Sequence, residues 1–257
     1  NVQSEHQSML ERLEDNGGQF TLENSQYEQS WFGATAKNTL VFPVVDAAVP
    51  NLRLTIVEDI SFGPILFSST GIELGYARSI VSIEVNEELV TPEVAKLIKD
   101  NISIQVLYTL SQDLIADIQV KKIETNIDNQ KVVIEPITAN YAFIDDKYIS
   151  GNFHWLGATL ADSDVILTLG EMNIISEQRL IGDNVYSDDA LFEGKFTTEL
   201  SDMHAVDQLG TPLFSMKALS MVAESKIDND LMTVNIGYHV DEIISGGQNY
   251  NKANFSM

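Results

Sequence analysis

Histidine and carboxylate side chains are the groups in this sequence with the most chemistry to offer, but their spacing matches no metal-site motif. The four histidines are scattered along the chain: His6, His154, His204 and His239. None belongs to the His-Glu-x-x-His motif of a zinc site. The pairs Asp162-x-Asp164 and Asp188-Asp189 lack the glycine and the distal glutamate of a calcium loop. We therefore predict no metal site and interpret these carboxylates as solvated turn residues.

The motifs of nucleophilic and nucleotide-dependent enzymes are also missing. The sequence has no Gly-x-Ser-x-Gly elbow, no Gly-x-Gly-x-x-Gly after a strand and no Walker loop. It has no cysteine, which excludes disulfides, thiolate nucleophiles and sulfur-ligated metals. We predict no catalytic residue and no cofactor. The 38 acidic residues leave a carboxylate-based hydrolase open as an alternative, although no pair of them stands apart.

Charge limits the partners of the chain. Fifteen basic residues stand against 38 acidic ones, for a net charge of −23. A surface of this sign repels phosphate backbones and anionic lipid head groups, so we expect neither nucleic-acid binding nor direct membrane binding by this chain. No run of 18 apolar residues is present that could span a bilayer.

Two groups of aromatic residues are candidates for ligand binding. Trp31 and Phe32 follow Tyr27 near the start, and Phe153 and Trp155 alternate along a predicted strand. Such side chains could line an apolar groove for a lipid-like ligand. The alternative is that they pack in a core, as aromatic residues more often do.

Most of the chain alternates apolar and polar residues with a period of two. In 102–110 every even position is apolar, whereas Ser103, Gln105 and Thr109 interleave, so the even residues should be buried and the odd ones wetter. Similar runs recur at 52–56, 165–169 and 232–240, separated by polar turns such as Ser150-Gly151. Strands joined by tight turns are antiparallel. The sequence predicts a mainly β protein with a long, twisted antiparallel meander sheet, which could curve into a groove or a sandwich.

One or two short helices complete this fold class. Met9, Leu10 and Leu13 share one helical face, which predicts an N-terminal helix within residues 1–17. A second helix has Thr91 as N-cap and Pro92 in its first turn, and should end near Lys99.

The last residues predict an open sheet edge. Tyr250 to Met257 begins a strand after Gly246-Gly247, and an unpaired edge strand can pair with another chain. We treat residues 1–257 as a single β-rich domain, which we expect to be a fragment of a longer protein. A homodimer through strand edges is one expected outcome, and a frayed terminal segment is the other.

Two segments carry a resemblance to a known family. Residues 27–34, read Tyr-Glu-Gln-Ser-Trp-Phe-Gly-Ala, and residues 60–65, read Ile-Ser-Phe-Gly-Pro-Ile, resemble motifs of the YdgA-like envelope proteins of Gram-negative bacteria, a family of unknown function numbered 945. Gln29-Ser30 stands where the family has a basic-glycine pair, and Phe62 where it has histidine. The resemblance implies a periplasmic location and an inner-membrane anchor, removed here, ahead of the first helix. It implies no catalytic residues.

Three functions follow from these observations. We favour a non-enzymatic cell-envelope module that binds an apolar ligand or a protein partner. A carboxylate-based hydrolase of an envelope polymer and a structural scaffold are the alternatives.

Overall fold

The protein is a β-sheet structure built from two compact units. The computed structural model describes residues 20–43, 51–68, 71–85, 90–127, 130–145, 147–181, 191–228 and 231–256. Of these residues 78% lie in strands, and the described part of the chain holds one helix. Among these residues, those from 20 to 117 form the first unit, and those in 118–181 and 191–256 form the second. The predicted mainly β, antiparallel fold class is confirmed.

The first unit is an antiparallel sheet with an additional hairpin. Its strands are β1 (Thr21–Gln29), β2 (Gly33–Phe42), β3 (Leu52–Phe62), β4 (Ile65–Ser68), β5 (Gly71–Leu74), β6 (Ala77–Val85) and β7 (Ile102–Tyr108). The strand order in the sheet is β1-β2-β3-β6-β7. Strands β4 and β5 form a two-stranded hairpin, which lies between β3 and β6 in the sequence.

Helix α1 (Pro92–Asn101) connects β6 to β7 and forms as predicted. The Thr91 hydroxyl accepts a hydrogen bond from the Val94 backbone N–H at 3.4 Å. This bond satisfies one of the first-turn N–H groups that have no acceptor within the helix. Lys99 in the last turn donates to Glu84 of β6 at 2.8 Å, and this bond lowers the pKa of Glu84. The other predicted helix, within residues 1–17, lies outside the described residues. No helix in the described ranges is long and apolar enough to cross a membrane.

The second unit is organised around one long strand. Its strands are β9 (Ile123–Ile127), β10 (Gln130–Ile134), β11 (Ile137–Ile144), β12 (Tyr148–Trp155), β13 (Ala158–Ala161), β14 (Val165–Leu169), β15 (Met172–Ile181), β16 (Leu191–Asp207), β17 (Pro212–Asp228), β18 (Leu231–Ser245) and β19 (Gln248–Ser256). Strand β8 (Leu114–Val120) crosses the division of the chain.

Strand β16 carries two partners on one of its edges. Residues 191–200 pair with β15, which continues through β12 to β11. Residues 203–207 pair with β14, which continues through β13 and β10 to β9. On its other edge β16 pairs with β17, followed by β18 and β19 as a meander. The sheet of the second unit therefore divides into two branches at β16.

The turn predicted at Ser150-Gly151 is wrong, because both residues lie inside β12. Gly151 is the cross-strand partner of Tyr141, and a Cβ on Gly151 would lie 2.4 Å from a ring carbon of Tyr141. This glycine makes room for an aromatic ring that folds across the strand, which is a known use of glycine within strands.

The core is small for a chain of this length. In the described residues eleven hydrophobic side chains are buried, and four of them are alanines. The predicted division of β7 into a buried and a wet face is also wrong, because all seven of its residues are half-buried. Because few side chains are packed against the sheet, both faces of β7 have intermediate solvent exposure.

The strand predicted at the C-terminal end is confirmed as β19, which forms a hairpin with β18. Gly246 and Gly247 both have positive φ, +57° and +76°, as a two-residue hairpin turn requires. Lys252 is also left-handed, with φ +54°, and interrupts the ladder between Ala253 and Asn251. Pairing of this edge with a second chain stays a prediction.

The β18–β19 hairpin should loosen as the pH rises. His239 contacts the side-chain oxygens of Asn254 at Nδ1 and Asp241 at Nε2, and an imidazolium can donate to both whereas neutral imidazole can donate to one. The pKa of His239 is raised above its ordinary value of 6.5. The largest cause is the hydrogen bond to Asn254, and the next is the hydrogen bond to Asp241. The stabilisation is therefore complete below pH 6.5 and is lost as the pH rises through the raised pKa.

Hydrogen exchange of the β19 amides across this pH range, corrected for intrinsic rates, measures the effect. Protection should fall with rising pH in the wild type and change less in His239→Gln. Equal pH dependence in both proteins would contradict the assignment.

Candidate functional site

Four chain segments meet side by side at one end of the first sheet. Backbone hydrogen bonds link them in a row: Phe62 donates to Phe32 at 2.8 Å, Gly63 to Tyr76 at 2.8 Å, and Tyr76 to Tyr108 at 2.7 Å. The β1–β2 turn, the β3–β4 bend, the β5–β6 turn and the end of β7 are therefore neighbours.

Two glycines allow the segments to approach this closely. A Cβ on Gly33 would lie 2.3 Å from the Ile60 carbonyl oxygen, and one on Gly63 would lie 1.7 Å from that of Gly75. Gly63-Pro64 separates β3 from β4. A small apolar cluster of Ala34, Ile60 and Ala77 holds the segments together from beneath.

Large apolar side chains cover this end of the sheet and face solvent. Trp31 is 94% exposed and Phe32 84%, at the turn between β1 and β2. We use "aromatic tip" for a set of eight residues that are each more than half exposed: Trp31, Phe32, Ile65, Phe67, Ile72, Leu74, Tyr76 and Leu110. Exposed apolar residues are common one at a time, but a group of this size indicates a contact surface.

A cleft of about 390 Å³ opens among the same segments. It is lined by Gln29, Phe62, Gly63, Pro64, Gly75, Tyr76 and Leu110. Small-molecule sites range over roughly 300–1,000 Å³ and are mostly apolar with a few polar groups. The cleft fits that description, with Gln29 and Tyr76 as the lining residues that carry polar side-chain groups.

The eight residues of the tip and the seven residues that line the cleft include no charged side chain, although Glu73 lies within β5. Residues 29–36, 60–72, 74–77 and 102–112 carry no Asp, Glu, Lys or Arg, in a chain of which 21% is charged. A charged group of a ligand would lose its hydration at this surface without meeting an opposite charge on the lining residues. The surface therefore suits an uncharged apolar ligand.

The four aromatic residues predicted from the sequence fall into two sites. Trp31 and Phe32 lie in the tip, in the first unit. Phe153 and Trp155 lie on β12 in the second unit, and both are half-buried. The indole N–H of Trp155 is buried and has no hydrogen-bond partner among the described residues. Each pair is therefore local to its own unit.

Sequence reasoning missed the hairpin residues of the tip and Leu110. Ile65 to Leu74 reads as an ordinary apolar strand, although its cross-strand pairs point into solvent. The sequence signal that could have identified this surface was the lack of charge, because the stretch 60–72 is 13 residues without a single charged side chain.

A second depression, of about 780 Å³, crosses β12, β15, β16 and β17 in the second unit. The register places charges of alternating sign across neighbouring strands, Glu177 beside Lys195 and Lys195 beside Glu224. In the next row Arg179 lies 5.7 Å above the Tyr148 ring and 3.5 Å from Glu193. Cross-strand pairs of this kind are typical of a solvated sheet face.

His154 and the acidic turn at Asp162 have structural partners, whereas His6 and Asp188-Asp189 lie outside the described residues. His154 is a half-buried residue of β12, and its Nε2 lies 2.9 Å from the Glu171 carboxylate. Asp162 accepts backbone hydrogen bonds from Asp164 and Val165 in the β13–β14 turn, which lowers its pKa. Within the described ranges, no three His, Asp or Glu side chains are grouped so that they could hold a metal ion.

The fold and the tip together define a β-sheet module with an uncharged, aromatic contact surface. The chain belongs to the bacterial protein family of unknown function DUF945, whose model matches residues 1–257. This match confirms the family number inferred from the motifs at 27–34 and 60–65. No curated protein and no solved structure matches the chain.

Proposed function

We propose that this chain is a non-enzymatic cell-envelope module that binds an uncharged, lipid-like ligand in the cleft of its first unit. The observation that carries the proposal is the cleft itself, about 390 Å³ in volume and lined by seven residues, none of them charged, in a chain of net charge −23. A periplasmic location, with an inner-membrane tether in the full-length protein, belongs to the same proposal and is supported by the family resemblance.

The chemistry of the lining selects the ligand class. Phe62, Pro64 and Leu110 offer apolar surface, whereas Gln29 and Tyr76 offer hydrogen-bonding groups at defined positions. A ligand with an alkyl chain and a neutral polar head satisfies both. A fatty-acid carboxylate would bring a charge into a site that has no cation to pair with it.

The test is titration with 1-N-phenylnaphthylamine, an uncharged probe whose fluorescence rises in apolar surroundings, followed by displacement with a neutral monoacylglycerol. We expect saturable binding to the wild type. Leu110→Asp should weaken binding by about tenfold or more, because it introduces a charge at the cleft that ligand binding must desolvate. Leu110 is 58% exposed, so the change should leave the fold intact.

Leu209→Asp is the matched control, since Leu209 is 93% exposed in the β16–β17 turn of the second unit. It should bind the probe like the wild type. Absence of saturable binding in the wild type, or equal affinities of the two variants, would remove the support for this function.

For the hydrolase alternative, the second depression is the candidate among the described residues, because several carboxylates line it. There Glu177 and Glu224 stand on either side of Lys195, two strand spacings apart, which is on the order of 10 Å. A cation between the two carboxylates occupies the place where a substrate would have to lie. We therefore place ligand binding ahead of hydrolysis, and a purely structural scaffold role behind both.

A further inference from the structure

The β4–β5 hairpin presents an apolar face to solvent. Its cross-strand partners Ile65 with Leu74, and Phe67 with Ile72, are all 55–79% exposed. Leu66, which alternates with them, points to the opposite side and is 2% exposed. The hairpin is therefore fixed to the unit by its inner face, while its outer face is a flat apolar surface two strands wide.

This outer face adjoins the rest of the aromatic tip. Gly75 donates to the Pro64 carbonyl oxygen at 3.2 Å, which extends the hairpin to Tyr76, and Tyr76 is bonded in turn to Tyr108 near Leu110. The eight residues of the tip offer apolar surface on the order of 1,000 Å². Monomeric proteins rarely expose contiguous apolar patches of more than a few hundred Å².

The area agrees with what a stable protein dimer needs. A standard interface buries about 800 Å² per partner, and its centre is enriched in Trp, Tyr and Phe and depleted in charge. Flat apolar sheet faces also pack against each other readily, at a separation of about 10 Å. A two-stranded face of Ile, Leu and Phe fits a copy of itself under two-fold rotation.

The charge of the chain is compatible with this surface as a meeting point of two copies. Each copy carries a net charge of −23, so most approaches bring acidic faces together. At physiological salt, charges further apart than about 8 Å are largely screened. Two copies that meet through the outer face of the hairpin keep their acidic residues apart, because Glu73 is the cross-strand partner of Leu66 and lies on the opposite side of the hairpin.

We propose that a second copy of this chain covers the aromatic tip, with the β4–β5 hairpins of the two copies packed face to face. This dimer goes beyond ligand binding in the cleft. It does not use the β19 edge, and its interface residues are Trp31, Phe67 and Ile72 with their neighbours.

The test is sedimentation velocity of the full chain over a micromolar concentration series. We expect a monomer–dimer equilibrium that tightens several-fold as NaCl is raised to about 1 M, because salt screens the mutual repulsion and strengthens apolar burial. The double variant Phe67→Ser/Ile72→Ser should weaken the dimer by tenfold or more. The matched control, Leu209→Ser/Leu231→Ser, changes two exposed apolar residues of the second unit and should dimerise like the wild type.

A second readout reports on the interface directly. The sequence has two tryptophans, so Trp155→Phe leaves Trp31 as the single emitter. Its emission should shift to shorter wavelength as protein concentration rises through the dimer transition, because Trp31 then leaves water.

Three results would overturn the proposal. One is a monomer at high micromolar concentration and high salt. Another is a dimer that survives Phe67→Ser/Ile72→Ser but is lost in Tyr250→Pro, which would place the contact at the β19 edge. The third is tip-dependent co-sedimentation of the monomer with phosphatidylcholine vesicles, which would make a bilayer the occupant. Probe binding in the cleft is measured at concentrations below dimerisation, so the failure of either proposal leaves the other testable.

Discussion

Replacing Leu66 by alanine is expected to lower the free energy of unfolding by about 2–5 kcal/mol, the range for a fully buried leucine. Leu66 is 2% exposed and is the side chain that fixes the β4–β5 hairpin to the first unit. Its Cδ1 lies 3.0 Å from where a Cβ of Gly75 would be, next to Leu107 Cδ1. The leucine fills the space that this glycine leaves, and alanine would leave a cavity that the backbone cannot close.

Phe67→Ala is the matched control, one residue further along the same strand. Phe67 is larger than Leu66 but 79% exposed, so its loss should cost about 0.5 kcal/mol or less. Urea denaturation followed by circular dichroism measures both. Hydrogen exchange should also show the β4–β5 amides opening in Leu66→Ala alone. Equal losses of stability in the two variants would mean that the hairpin is not anchored through Leu66.

The strands were predictable where local pattern decides them. The alternation in 102–110 and 232–240 gave β7 and part of β18, and the Gly246-Gly247 signal gave the final hairpin. The two branches at β16 were not predictable. Pairing of 191–200 with β15 and of 203–207 with β14 depends on which distant segments bury each other, and nothing within the 17 residues of β16 marks the point of division.

Two of the eight residues of the aromatic tip were predictable. Trp31 and Phe32 stood out because they are adjacent large aromatic residues close to Tyr27, and the structure places them between β1 and β2. The outward face of β4–β5 was not recognised from the sequence, because Ile, Leu and Phe on a strand are usually assigned to the core. Only the three-dimensional position of Leu66 shows which set of alternating side chains is the inner one.

Gln105 shows how a polar residue on an alternating strand can be misread. Its position in the period-two pattern predicted a solvent-exposed side chain. Instead, the Gln105 side chain accepts a hydrogen bond from the guanidinium of Arg78 on β6, and Arg78 is only 5% exposed. Arg78 also donates to the Phe67 carbonyl oxygen at 3.2 Å. A buried cation thus depends on two uncharged acceptors, one from β7 and one from the hairpin of the aromatic tip.

Gln105→Ala is therefore expected to lower the free energy of unfolding by about 2–3 kcal/mol, because it leaves a buried charged donor without its side-chain acceptor. Gln105→Glu keeps an acceptor and adds an opposite charge, so it should lose less. Ser103→Ala, on the same face of β7, controls for truncation and should cost about 0.5 kcal/mol. The double variant Arg78→Met/Gln105→Leu should recover most of the loss, since removing both partners leaves no buried charge. If Gln105→Ala and Ser103→Ala have the same urea midpoint, then the face of β7 is as wet as its sequence suggests and Arg78 does not depend on Gln105.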